Sequence, residues 1–111
     1  MSSILTSVKS QLGISDSNTA FDLDLISMIN SQFSILQQLG VGPSEGYFIT
    51  SKTNTWAEFT QNSAALNAVQ SYVYLRVRLL FDPPKTGFVT TAFERQIEEL
   101  TYRLNVVADY G

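Results

Sequence analysis

Apolar side chains recur at intervals of three and four residues along most of this chain, a spacing that predicts a protein built from helices. The strongest signal runs from Leu66 to Phe81, where apolar residues occupy almost every direction of a helical wheel. Asn67, Ser71 and Arg78 form only a narrow polar wedge. A helix that is apolar nearly all round must be covered by several neighbours, so we expect this one at the centre of the fold.

A second long helix is predicted after a proline turn. Asp82-Pro83-Pro84 ends the central helix, because proline lacks the N–H group that would continue it. The following helix carries apolar residues at intervals of four, three, four and three, which make one continuous seam: Phe93, Ile97, Leu100, Leu104 and Val107. We expect the seam to be buried against apolar residues of the central helix: Val73, Val77 and Leu80.

A short helix is predicted at the start of the chain, over residues 3–12. Ser2 or Ser3 is expected to cap it, and Gly13 stands where a left-handed residue ends a helix. About ten residues are marginal as an isolated helix, so this one must dock on another surface. Two interpretations are open: it covers the core of its own chain, or it is an arm that docks on a neighbouring subunit.

An amphipathic helix is predicted over residues 19–39. Asn18 or Thr19 is expected to cap it, acidic residues in its first turns suit the positive end of the helix dipole, and Gly40 is expected to end it.

Residues 41–63 are the least helical part of the chain. Residues 47–50 have strand propensity and can pair with residues 53–56 as a two-stranded ribbon. Trp56 and Phe59 provide apolar anchors. A connection of about twenty residues is unusual in a small domain and is often functional. The loop therefore either packs on its own chain or reaches an adjacent subunit.

The predicted fold class is all-α. A chain of 111 residues is expected to form a single domain, residues 1–111, with one modest core. The architecture is a small bundle of about four helices, with a long loop or short β-ribbon between the second and third. The expected helices are residues 3–12, 19–39, 64–81 and 88–108.

Composition argues against catalysis. The chain has no cysteine and no histidine, which removes thiolate metal sites and the commonest general base. Asp22 and Asp24 suit a helix N-terminus, whereas Arg95, Glu99 and Arg103 form pairs four residues apart on one helix. We therefore expect no enzyme activity, no catalytic or metal-binding residues and no cofactor.

Charge and hydropathy indicate whether the chain is expected to bind DNA or a membrane. The net charge is −3 and the seven basic residues are dispersed, so tight nonspecific DNA binding is not expected, and an acidic surface suits a DNA conduit better than a clamp. No signal sequence is recognised, and the most apolar run is too short to span a bilayer. We expect a soluble, cytosolic chain with no membrane partner.

Arg76 flanks the apolar face of the central helix, where an unpaired charge is costly. It is predicted to form a buried ion pair with Asp22, Asp24 or Glu98, or alternatively to contact a group across a subunit boundary.

Two stretches of the chain form a distinctive combination. One is the arginine-bearing apolar helix with its turn, Arg76-Val77-Arg78-Leu79-Leu80-Phe81-Asp82-Pro83-Pro84. The other is Phe93-Glu94-Arg95-Gln96-Ile97-Glu98-Glu99-Leu100, followed by Arg103-Leu104-Asn105. Residues 22–26, 39–43 and 56–59 fit the same pattern. Together these stretches resemble the small head-tail connector proteins (adaptor or head-completion proteins) of long-tailed bacteriophages.

The resemblance implies an all-helical structural protein of the virion neck. Copies would form a ring, expected to be dodecameric, beneath the portal protein after DNA packaging. That ring would extend the channel for genomic DNA and attach the tail or the next neck protein. The alternative is a monomeric helical binding module, either regulatory or an assembly factor, that forms no ring.

Ring closure needs two different patches on each subunit. We expect one patch on the loop and the other on the outer faces of the last two helices, with Tyr102 and Val106 alternatively covering the first helix. The candidate interface residues are Tyr47, Phe48, Trp56, Arg78, Glu98, Glu99, Tyr102 and Val106.

Overall fold

The structure, a computed structural model, describes the backbone of residues 3–110 and all of their side chains except those of Val107, Asp109 and Tyr110. Its helices are α1 (Ile4–Leu12), α2 (Asp22–Gln38), α3 (Trp56–Phe59), α4 (Ser63–Phe81) and α5 (Gly87–Tyr110). Within this part of the chain there is no β-sheet, and the one extended pairing is an isolated bridge between Ser3 and Thr55. The all-α prediction is confirmed.

Local signals explain most helix ends. The Ser3 side chain accepts a hydrogen bond from the Thr6 N–H and caps α1. Gly13 ends α1 at φ 80°, and Gly40 follows α2 at φ 83°, both left-handed conformations that favour glycine. The Asn62 side chain caps α4 by accepting from the N–H groups of Ala64 and Ala65.

The predicted start of α2 is wrong by three residues. Neither Asn18 nor Thr19 caps the helix, which begins at Asp22 after Phe21. The Asn18 side chain instead accepts from the Ala20 N–H, and the Asp22 N–H donates to the Thr19 carbonyl. Asparagine side chains compete with the helix by closing such local turns.

The predicted β-ribbon is not formed. Residues 56–59 are the short helix α3, where the Thr55 N–H donates to the Glu58 side chain at 3.3 Å. Ile49 uses its backbone on α2 instead: its N–H donates to Asn30 Oδ1, and its carbonyl accepts from Asn30 Nδ2. The backbone groups of Ile49, the buried residue of this stretch, are thus satisfied by a side chain rather than by a partner strand.

α4 is the central helix, as predicted, and packs against α5, α2 and α1. The predicted seam between α4 and α5 is buried at Val73, Val77, Ile97, Leu100 and Leu104, whereas the side chain of Val107 lies outside the described residues.

Leu80 is an exception, because 56% of its surface is exposed. The neighbouring Phe81 takes the inward direction in the last turn of α4 and meets the Phe21 ring edge-on at 5.3 Å. Successive helical side chains point about 100° apart, so Leu80 is turned towards solvent.

α1 covers the core of its own chain, which decides between the two interpretations of this helix. Ile4, Leu5 and Val8 are buried, and the helix packs on α2 and α4.

Candidate interaction surface

The loop between α2 and α4 is packed on its own chain rather than extended from it. Trp56 is only 3% exposed, and its Nε1 donates to Ser7 Oγ on α1 at 2.8 Å. The Ile4 N–H donates to the Asn54 carbonyl at 3.0 Å. These contacts tie the loop to the first helix, so Trp56 is not available to a neighbouring subunit.

Aromatic rings hold the middle of the loop. The centroid of the Phe33 ring on α2 lies 5.2 Å from the centroid of the Tyr47 ring and 4.7 Å from that of the Phe59 ring. Gly42, at φ 90°, passes so close to Phe59 that a Cβ there would lie 2.5 Å from the ring, and this position therefore requires glycine.

A hydrogen-bond network fixes Tyr47 further. Its hydroxyl donates to Glu58 Oε1 at 2.9 Å, and Asn54 Nδ2 donates to the same oxygen at 3.1 Å. Burial raises the pKa of Tyr47 above its usual value of 10, and the Asn54 and Tyr47 hydrogen bonds lower the pKa of Glu58. Tyr47 therefore has a role inside the subunit, and its predicted role at a subunit interface stays a prediction.

Phe48 points the other way. Its side chain is 67% exposed although Tyr47 and Ile49 on either side face the body of the molecule. Neighbouring residues in an extended segment face opposite sides. Phe48 is the aromatic residue of this loop that remains on the surface.

A groove runs between the outer parts of α4 and α5. It encloses about 520 Å³, with small residues of α4, Ala64 and Ala68, on one side and Leu100, Tyr102 and Val106 of α5 on the other. Tyr102 is 70% exposed and Val106 is also exposed, so these residues do not cover α1. An apolar hollow beside an exposed aromatic ring is the usual form of a protein docking site.

The predicted rim charges are not among the residues that line this groove, and two of the three have partners within the subunit. Arg78 Nε donates to the Asp82 carbonyl and the guanidinium lies 6.0 Å from the Phe93 ring centroid, which anchors it at the end of α4. Glu98 is exposed, and Glu99 forms an ion pair with Arg103. Exposed pairs of this kind contribute little to stability and are better suited to orienting a partner.

Arg76 does not form the predicted ion pair with Asp22, Asp24 or Glu98 among the described side chains. Its Nε instead donates to Gln32 Oε1 on α2 at 3.0 Å. Gln32 is buried and its Nε2 donates to the Met28 carbonyl at 3.3 Å, so a neutral amide satisfies the arginine.

The buried ion pair lies elsewhere, between Lys9 and Asp22, and was not predicted. Lys9 is 2% exposed; its Nζ lies 2.9 Å from Asp22 Oδ1 and donates to the Asp16 carbonyl at 3.1 Å. A signal for it existed, because Lys9 follows Leu5 by four residues and therefore shares the apolar side of α1.

Several exposed apolar residues were also not predicted. They lie at the first turns of α2 and α5 and the last turn of α4, and the largest exposed fractions are those of Leu23, Leu80 and Phe88. Phe88 falls on the side of α5 opposite the core seam, a placement that the helical spacing alone indicates.

The described part of the chain shows no group of acidic residues arranged to hold a metal ion. None of its helices is long and apolar enough to cross a membrane. It presents a small all-α body with a groove between α4 and α5 that is lined by both apolar and polar side chains, and such a surface is typical of a protein that acts by binding other proteins.

The chain belongs to the phage connector protein family, whose model matches residues 4–111. Membership gives the chain a structural role in the connector of the phage neck, between head and tail, and it supports the resemblance noted from the sequence. A structural family of this kind favours a non-enzymatic role. No curated protein and no solved structure matches the chain.

Proposed function

We propose that copies of this chain assemble side by side into a ring, expected to be dodecameric, that docks under the portal protein after DNA packaging. The ring extends the DNA channel and presents an attachment surface to the tail or the next neck protein. Assembly takes place in the host cytoplasm and the finished ring lies in the virion neck. The single observation that supports this most is the family match across residues 4–111.

The ring contact is heterologous, because two different surfaces of one subunit must meet those of its neighbours. The exposed Phe48 ring of one subunit enters the α4–α5 groove of the next, where Tyr102 and Val106 flank it and the alanine side of α4 leaves room. Aromatic anchors in such pockets carry much of the binding energy of interfaces. Arg78, Glu98 and Glu99 lie at the rim and set the register.

Genomic DNA passes through the ring without sequence-specific binding. The net charge of −3 and the dispersed basic residues give the subunit no clustered positive surface for phosphate groups. A weakly acidic ring repels the DNA backbone and leaves it free to slide.

Two substitutions test the ring contact from its two sides. Phe48→Ser removes the anchor, and Ala64→Trp fills the groove at a position that is exposed in the free subunit. We expect both proteins to melt like the wild type. When they complement a phage that lacks this protein, they should yield DNA-filled heads that do not join tails.

Leu23→Ser is the matched control, because it removes a highly exposed apolar side chain that belongs neither to the loop nor to the lining of the groove, and it should complement normally. Normal virions with both Phe48→Ser and Ala64→Trp would show that the contact is assigned wrongly. Tailed infectious particles in the complete absence of the protein would show that the function is wrong. A chain that binds DNA-filled, tailless heads only as a monomer would support the monomeric binding module instead.

A further inference from the structure

α5 carries a second seam, on the side opposite the core seam. Its six positions follow one another at intervals of four, three, four, three and four residues and lie within roughly 80° of one another on the helix. All six are exposed. We call this set the outer seam: Phe88, Ala92, Arg95, Glu99, Tyr102 and Val106.

This spacing is the one by which two helices pack along their length in a coiled coil. The end positions are apolar: Phe88 is 86% exposed, and Tyr102 and Val106 are exposed at the other end. The central positions are charged, with opposite signs. An exposed apolar stripe with charges in its middle is suited to a helix of matching pattern rather than to solvent.

The outer seam matches itself when a second copy lies antiparallel to it. The first position then faces the last, so Phe88 meets Val106. The second faces the fifth, so Ala92 meets Tyr102, and Arg95 meets Glu99 in the middle. Each layer thus pairs a large side chain with a smaller one, or a basic group with an acidic one. A parallel arrangement would instead place Arg95 against Arg95 and Glu99 against Glu99, which is repulsive.

A hollow on the surface of α5 and the ion pairs of its side chains are compatible with the antiparallel pairing. A hollow of about 370 Å³ lies along Phe88, Ala92 and Arg95, where the Tyr102 ring of a second copy would fit. Among the described side chains Arg95 forms no ion pair. Arg103 of the same helix binds Oε1 of Glu99, which leaves Oε2 of Glu99 for the second copy.

We propose that two copies of this chain pair through the outer seams of α5 as an antiparallel dimer with two-fold symmetry. The same surface of each copy meets the other, as in an isologous contact. The seam from Phe88 to Val106 is about 27 Å long, a contact in the small class, below about 1,200 Å² in total, that gives weak complexes. The dimer is therefore concentration-dependent.

The dimer is a contact distinct from the ring, and only its consequence for assembly rests on the proposed ring. Tyr102 and Val106 belong to the outer seam and also flank the α4–α5 groove. A subunit paired through α5 therefore cannot offer its groove fully to a neighbouring Phe48. Dissociation of the dimer precedes ring closure, which keeps free subunits from closing rings before they meet a head.

Charge reversal tests the pairing. Arg95→Glu alone and Glu99→Arg alone each create two like-charge contacts across the two-fold axis, and we expect the dissociation constant of the dimer to rise at least roughly tenfold. An equimolar mixture of the two variants restores both opposite-charge contacts and should associate like the wild type. Sedimentation equilibrium of the full chain measures the dissociation constant for each single variant and for their mixture.

Glu94→Arg is the matched control, because it makes the same charge change as Glu99→Arg, on the same helix but at a position outside the outer seam. It should dimerise like the wild type, and circular dichroism should show native helix content in every variant. Wild type that sediments as a monomer up to millimolar concentration would overturn the proposal. Undiminished association of Arg95→Glu and Glu99→Arg would overturn it equally.

Orientation is tested by cross-linking, which is simple because the chain has no cysteine. A mixture of Phe88→Cys and Val106→Cys should give the mixed dimer with a short thiol cross-linker, since the two positions face each other. Phe88→Cys alone should give little product. Efficient cross-linking of Phe88→Cys to itself would mean a parallel contact and would contradict the antiparallel dimer.

Discussion

The two faces of α5 have the same spacing of residues but different surroundings. On the inner face Ile97, Leu100 and Leu104 are uniformly apolar and buried against α4. On the outer face the same intervals carry apolar residues at both ends and Arg95 with Glu99 between them, and all remain exposed. Spacing alone does not separate the two faces, since any side of a helix offers positions at these intervals; what differs is that the inner residues are apolar and buried whereas the outer ones include charges and are exposed. The charges within the outer face distinguish a partner in the same chain from one in another chain.

The largest expected effect is on the inner face. Leu100→Ala should lower the free energy of unfolding by about 2–5 kcal/mol, because it removes buried side-chain atoms and leaves a cavity between α4 and α5. Denaturant unfolding measures the change. Tyr102→Ala on the outer face is the matched control and should stay within about 0.5 kcal/mol of the wild type. A loss below about 1 kcal/mol for Leu100→Ala would mean that the two faces do not differ as described.

A smaller loss of unfolding free energy is expected for Arg76, which contacts a buried group, and almost none for Arg95, which is exposed. Arg76→Met leaves the buried Gln32 Oε1 without its donor and should cost about 1–3 kcal/mol. Arg95→Met, on the outer seam, should change the unfolding free energy by less than about 0.5 kcal/mol.

The double variant Gln32→Leu with Arg76→Met separates this pairing from a general loss of packing. It should cost less than the sum of its single variants, because neither polar group is then buried alone. Strict additivity would show that the Arg76 contact with Gln32 contributes nothing. A contact of Arg76 across a subunit boundary remains a prediction, which the assembly assay with Arg76→Met addresses.

The smallest expected effect is a change in melting temperature, and it concerns the loop, where Tyr47 faces inward and Phe48 outward. The pKa of Glu58 lies below its ordinary value of 4.5 in the folded protein, so its contribution to stability is present above that value and is lost as the pH falls through the folded pKa. Glu58→Gln should therefore lower the melting temperature slightly at pH 7 and less at pH 3. Glu94→Gln is the control and should show no such pH dependence. An equal shift at both pH values would mean that the Glu58 charge is not what holds Tyr47.

The burial of individual loop side chains could not be predicted as the helices could, and the aromatic residues of the loop show why. Tyr47, Phe48 and Trp56 are all large aromatic residues in an irregular segment, and their sequence does not say which face inward. The ring of Phe33 on α2 and the Ser7 hydroxyl on α1 receive Tyr47 and Trp56, and nothing comparable covers Phe48. The exposure of Leu80 was missed for the converse reason, since this apolar residue was assigned to the core by its type and spacing.

The sequence by itself determined every helix except α3, the stops after α1, α2 and α4 at Gly13, Gly40 and Pro83, and the central position of α4, because caps, breakers and apolar spacing act between residues a few positions apart. The tertiary structure alone decided which polar groups pair. Arg76 meets Gln32 across a separation of 44 residues, and Trp56 meets Ser7 across 49. Many side chains of similar chemistry compete for such distant partners, and only the packing of whole helices brings one of them within hydrogen-bonding distance.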